Sequence, residues 1–208
     1  EGPADSHVPA QTAAGLAGCI ATGVPWLGHK VRQTGRVLWV SNLAVNRDLQ
    51  FFATWCKGRF GGFDTCGEKA QFTDVRILKN ADDTQARKSW CRHIADHIID
   101  HNVRLVVVNP NSSLDGFPWV WDWMRSLRKK AGVAVLLIHS ITRKREKLSP
   151  SNIGECDLMF SVQETERGAT LTMDRIRDAP RWNTSVHLQR HMAGSKPDET
   201  GTPYMGVT

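Results

Sequence analysis

The chain has 208 residues, 40% hydrophobic and 23% charged, enough to bury one substantial core and too apolar to remain unfolded throughout. Its 27 lysines and arginines outnumber 21 aspartates and glutamates, and the net charge of +6 favours a polyanionic partner. No stretch approaches the roughly 18 apolar residues of a membrane helix, and the first residues lack the basic segment and apolar run of a secretory signal, so a soluble, cytoplasmic protein with no membrane partner is expected.

Cysteines 19, 56, 66, 91 and 156 are odd in number and contain no C-x-x-C pair. That pattern supports neither a disulfide framework nor a common zinc module, and the five read as reduced, mostly buried thiols. Trp119, Trp121 and Trp123 fall within five residues and read as packing groups.

Taken in order, residues 10–22 are small and helix-compatible, stopped by Gly23 and Pro25. The run RVLWVS at 36–41 suits a strand buried on both faces. A helix is predicted over 44–57, a glycine-rich loop over 58–70 and a short strand over 75–78. Residues 84–101 space Trp90, Ile94 and Ile98 as a helix does, ahead of a second buried strand, RLVVVN at 104–109. A basic amphipathic helix at 117–131 and a third apolar strand, VAVLLIH at 133–139, repeat the pattern. Strands alternating with helices imply parallel pairing through right-handed crossovers, hence a three-layer α/β domain over residues 1–191. Three closely spaced strand candidates, 157–163, 169–175 and 184–189, predict an antiparallel extension of that sheet. From about 192 the apolar content collapses, which predicts a disordered tail to 208.

Several segments resemble, in order and at matching intervals, those of RepA-type hexameric helicases, a branch of the RecA-like ATPases. They are ATGVPWLGHKVRQTGRVLWVS at 21–41, RLVVVNP, VAVLLIHSITRK, and GECDLMFSV followed by LTMDRIRDAP. The likeness covers roughly residues 2–190 and implies a RecA-like fold, mostly parallel in its central sheet. The strand that precedes the phosphate loop in that family is absent, so Glu1 is not expected to be the natural start, unless that edge of the sheet is supplied otherwise.

The same comparison exposes a degenerate nucleotide site. A phosphate loop reads G-x-x-x-x-G-K-[ST]: glycines let backbone N–H groups wrap the phosphates, lysine neutralises them and the hydroxyl holds magnesium. Here Gly2 is followed by a stretch containing Asp5 and Ser6, and then by His7, Val8 and Pro9 at the three defining positions. Where the family places a magnesium-positioning aspartate the chain has Asn109, and where it places a water-activating glutamate it has Leu43. Of the family's paired histidines only His139 remains, followed by Ser140. Loss at so many points predicts a non-hydrolysing subunit that needs no cofactor. ATP with magnesium enters only under the alternative of a divergent but active ATPase, and a further alternative is a structural protein with no ligand.

Two features retain what the resemblance implies is functional. Arg175 and Arg177 match the basic pair that ring ATPases offer to a neighbour's nucleotide, where an arginine stabilises phosphoryl charge across the subunit boundary. Arg143, Lys144, Arg145 and Lys147 lie in the segment that in such rings faces the channel and grips single-stranded DNA. The implied partners are single-stranded DNA, a related motif-intact ATPase, or further copies of this chain in an oligomer, in replication or mobile-element maintenance. His93, His97 and His101 recur every fourth residue but lack the fourth ligand that a structural zinc site wants, and read as a solvated helix face. Arg125, Arg128, Lys129 and Lys130 read as decoration of a helix exterior, and Gly58, Gly61 and Gly62 as a connection.

Overall fold

The continuous apolar runs become the inner strands of a parallel sheet. The structure, a computed structural model, describes residues 7–41, 45–62, 64–74, 84–110, 118–138, 156–166, 168–177, 185–193 and 202–206. In chain order the first half comprises α1 (Val8–Thr22), β1 (Arg36–Ser41), α2 (Val45–Phe60), α3 (Asp64–Gly67) and β2 (Ala70–Asp74). After these come α4 (Thr84–Asp100), β3 (Val103–Asn109), α5 (Pro118–Ala131) and β4 (Ala134–Leu137). Four further strands follow: β5 (Leu158–Thr165), β6 (Gly168–Ile176), β7 (Ser185–Ala193) and β8 (Thr202–Gly206).

Parallel pairing gives the order β2-β1-β3-β4, with Trp39 beside Val107 and Ser41 beside Asn109. Side chains alternate across the sheet. Val37, Trp39, Leu105 and Val107 face α1 and α2, where they meet Phe52 and Trp55. Leu38, Val40, Val106 and Val108 face α4 and α5, where Trp90, Ile94, Trp123 and Leu127 cover them. The result is the three-layer α/β arrangement that the alternating pattern implied, consistent with the RecA-like fold that the resemblance implied.

Helix α1 is closed by Gly23, whose φ of 86° is left-handed and whose N–H donates to the Cys19 carbonyl at 2.7 Å. Its close seat on α2 depends on Gly18: a Cβ there would stand 2.2 Å from two ring carbons of Trp55.

Several boundaries differ from expectation. Helix α2 runs on through Phe60, taking Gly58 into it, and residues expected to be loop form α3 and the start of β2. Strand β2 therefore begins at Ala70, where its neighbours in β1 supply the backbone partners, and the strand expected over 75–78 lies outside the described residues. Cys56 and Cys66, read as thiols, are joined in a disulfide because the turn between α2 and α3 brings the two buried sulfurs together. Cys19 is a buried free thiol, and burial pushes its pKa up to about 11, partly opposed by the charge of Arg59.

The C-terminal strands do not extend the parallel sheet. Among the described residues they form a second, antiparallel sheet in the order β5-β6-β7-β8, burying its own apolar face of Ala169, Leu171 and Leu188. Strand β7 reaches Ala193, and Thr202–Gly206, placed in the expected tail, pairs with it as β8. Backbone pairing at a sheet edge needs little apolar content, so collapse of hydrophobicity did not mark the end of structure there.

Candidate functional site

In a parallel α/β sheet, ligands gather at the carboxyl ends of the strands. Here that edge is built from Ser41 closing β1, Asn109 closing β3 and the start of α1. Ser41 and Asn109 are register neighbours and continue the rows of Trp39 and Val107 toward α2. Facing them is Asp48, in the first turn of α2 and fully buried. The Asn109 amide nitrogen donates to both carboxylate oxygens of Asp48, at 3.1 and 2.9 Å, and the Trp39 indole N–H donates to one of them at 2.9 Å. A buried carboxylate is tolerated only when such donors replace water. The Ser41 hydroxyl, equally buried, has no hydrogen-bond partner among the described residues.

Helix α1 begins at Val8. His7 caps it in a right-handed conformation with no side-chain hydrogen bond, and Pro9 sits in the first turn, where a missing N–H does least harm. The Val8 side chain is 2% exposed and packs in the apolar cluster of Ala169, Leu171 and Leu188 from the second sheet. Its carbonyl accepts from the Thr12 hydroxyl at 2.9 Å.

Arg177 follows β6 directly. Its guanidinium meets one oxygen of Asp157 at 3.1 Å, Arg128 of α5 meets the other at 2.6 Å, and the Arg177 backbone N–H donates to the Asp157 carbonyl at 2.6 Å. This half-exposed bridge ties the second sheet to α5 and engages Arg177 within its own chain. Arg175, two residues earlier on β6 and beside Met159, is part-buried. Gly2, Asp5, Ser6, Leu43, His139, Arg143, Lys144, Arg145 and Lys147 lie outside the described residues.

At the opposite edge of the sheet, His97 and His101 stack with ring centroids 4.3 Å apart. Arg36 of β1 contacts His101 Nδ1 at 3.2 Å, and His97 Nε2 meets the Gln71 side-chain oxygen of β2. Burial, reinforced by His101, His93 and Arg36 and opposed by Asp100, holds the His97 imidazole below its ordinary pKa. No group of three or more metal-ligating side chains forms among the described residues. A depression of about 470 Å³ beside these histidines has Arg36 and Lys69 next to Glu68 and Asp100, an almost neutral lining.

Sequence reasoning singled out Asn109, Val8 and Pro9 from a resemblance, and it did not point to the group that faces Asn109. A signal for Asp48 was present: it stands three, four and seven residues before Phe51, Phe52 and Trp55, on the buried stripe of its helix. Asp157 lacked such a signal, since its partners come from 29 residues before it and 20 after it.

Fold and site define a P-loop-ATPase-like α/β domain. A family model described as an AAA domain matches residues 12–146, more than half of the chain, and the chain belongs to that family. No curated protein matches the sequence.

Among the described residues, those at the start of α1 do not fit a magnesium nucleotide: Val8 offers only an alkyl group, already packed, and Pro9 offers neither hydroxyl nor N–H. The Asn109 amide turns its donors to Asp48, while Asp48 accepts three hydrogen bonds on its two oxygens. Among the described residues no helix is long and apolar enough to cross a membrane.

Proposed function

We propose that this protein is a pseudo-ATPase of the RecA-like helicase type, acting by binding DNA, a related motif-intact ATPase, or both, in replication or mobile-element maintenance. The observation that carries the reading is the Asp48–Asn109 pair: the strand end that in the family positions magnesium is here a neutral amide, satisfied by a buried carboxylate of the same chain. The apolar burial of Val8 supports it independently. A phosphate-release assay with and without single-stranded DNA, alongside calorimetry with Mg-ATP, tests it. Neither turnover nor tight binding is expected. Turnover on the order of one per second, abolished by Asn109→Ala in a variant that still folds, overturns the reading in favour of a divergent ATPase.

Two contacts would carry the activity. The segment holding Arg143, Lys144, Arg145 and Lys147 binds single-stranded DNA through its phosphates. Arg175 and Arg177 reach the nucleotide of a neighbouring ATPase, where their charge stabilises the transition state. Co-purification with such an ATPase, followed by its turnover rate, should show stimulation that Arg175→Ala or Arg177→Ala removes while association persists. Because Arg177 is bridged to Asp157, its contribution requires that bridge to open, whereas Arg175 lies outside it.

A further inference from the structure

The two margins of the parallel sheet differ in kind. Strand β2 is polar, AQFTD, as edge strands usually are, whereas β4 and the residue after it are AVLLI, the composition of a strand buried between neighbours. Both faces of β4 are covered, Leu136 by the α1–α2 layer and Val135 and Leu137 by the α4–α5 layer. All three nevertheless stay partly exposed while their register partners Val106, Val107 and Val108 are buried, so the exposure comes through the lateral edge. Among the described residues no strand pairs with that edge. The Ile138 N–H donates to the Val108 carbonyl at 2.9 Å, and alternation along the strand then turns the Val135 and Leu137 N–H groups away from β3.

The antiparallel sheet has a matching margin. Its outer strand β5 opens on Leu158, which is 45% exposed. Asp157, just ahead of it, is bridged to Arg128 near the end of α5, the helix that leads into β4. Phe160 meets Trp26, beyond the end of α1, with ring centroids 5.8 Å apart, while the far half of β5 pairs with Ala169 and Leu171, which cluster with Val8 at the start of α1. Strand β5 thus runs opposite to α1. So does β4, because the Gly35 N–H, just ahead of β1, donates to the Ile20 carbonyl and so sets the end of α1 at the amino edge of the parallel sheet. Two outer strands therefore run in one direction and belong to different sheets.

The hand of the connections says what belongs between them. Crossovers from β2 to β3 and from β3 to β4 place α4 and α5 on one face, and the crossover that moves the other way, from β1 to β2, places α2 on the opposite face. All three share one hand, as parallel connections do. Helix α1 lies on the α2 face and leads into β1, so a strand feeding α1 with that hand approaches from the β4 side, where the first free position is the outer edge of β4. We propose that the slot between β4 and β5 seats one parallel strand, carried by the stretch of this polypeptide that leads into α1, and that this strand joins the two sheets into one. Residues 1–7 include Gly2 and Pro3 and no apolar run, so the strand lies ahead of them. The inference is independent of whether the chain binds nucleotide, DNA or a partner ATPase.

Amide hydrogen exchange, read residue by residue, tests it. In the 208-residue chain the Val135 and Leu137 amides should exchange about a hundredfold or more faster than those of Leu136 and Ile138, since only the latter are tied into the ladder with β3. Joining a run of about six valines and isoleucines ahead of Glu1 should slow Val135 and Leu137 to the rate of their neighbours and raise the unfolding midpoint. The same run carrying two prolines, which cannot donate along a strand, should do neither. Should the joined chain precipitate, the run added as a separate peptide to the unmodified chain should give the same protection in proportion to its concentration.

Slow exchange at Val135 and Leu137 in the dilute, monomeric 208-residue chain would show the edge to be closed already and overturns the inference. A joined or added strand that leaves both amides fast does the same, as does equal protection by the proline-bearing run. Protection that grows with protein concentration, alongside dimers in sedimentation, would assign the slot to a second copy and overturn the occupant.

Discussion

The two faces of the parallel sheet are packed in opposite ways. Toward α4 and α5 the sheet buries an apolar and aromatic layer, with Trp90 against Trp123 and the Trp123 indole N–H left without an acceptor among the described residues. Toward α1 and α2 the layer is equally tight but encloses Asp48, Asn109, Trp39 and Ser41. Each face keeps one buried polar group with no hydrogen-bond partner among the described residues, the Trp123 N–H on one and the Ser41 hydroxyl on the other, but only the α1–α2 face gathers donors around a buried charge. The difference teaches that a buried carboxylate is held where neighbouring side chains turn their donors to it.

The sharpest way to break that contrast is Asn109→Asp. Two buried carboxylates would then face each other at about the 3 Å that now separates amide and carboxylate. One must take a proton or the fold must open, and a loss of about 3 to 5 kcal/mol in urea unfolding is expected. Adding Asp48→Asn should recover most of it, since the pair is then reversed in sign but equally matched. Failure of the double variant to recover would show that Asp48 is held by more than Asn109 and Trp39.

Next in size is Gly18→Ala. A methyl group 2.2 Å from the Trp55 ring must push α1 off α2, and a loss of up to about 3 kcal/mol is expected by the same measurement. A neutral result would mean that the α1–α2 face is loosely packed and the contrast overstated.

A smaller effect compares the faces directly. Trp39→Phe and Trp123→Phe remove the same atoms, but the first strips a donor from a buried carboxylate and the second removes a donor that has no acceptor. Trp39→Phe should therefore be the costlier by about 1 to 2 kcal/mol. Equal unfolding midpoints would erase the distinction.

The smallest expected effect concerns acid. Because His97 titrates below its ordinary value in the fold, the native state binds fewer protons than the unfolded chain. Its contribution to stability is complete above the unfolded pKa of about 6.5 and is lost as pH falls below that toward the lower folded value. His97→Gln should flatten the pH dependence of the melting temperature across that window, and an unchanged profile would assign the acid sensitivity elsewhere.

Much of this architecture was legible because buried parallel strands announce themselves: RVLWVS and RLVVVN became β1 and β3 almost residue for residue. Strand β2 was missed since AQFTD is too polar to stand out and takes its place from the backbone of β1. Strand β8 was missed for the same reason, and the Cys56–Cys66 pair because spacing does not encode which cysteines meet. At the site, Val8, Pro9 and Asn109 drew notice only through a resemblance. The group facing Asn109 was not visible, for a partner such as Asp48, 61 residues away, is chosen by packing.

The burial of Val8 has a consequence for how this chain can change. A lysine introduced there would have to place its ammonium among Ala169, Leu171 and Leu188 or pull the first turn of α1 away from the second sheet. An aspartate at Asn109 would meet Asp48. Either charge is thus harmful when introduced alone, and only coordinated replacements on α1, α2, β3 and the second sheet avoid an unstable intermediate. The core works as a ratchet: substitutions elsewhere on the surface remain open to selection, while new charge cannot enter at this edge one residue at a time.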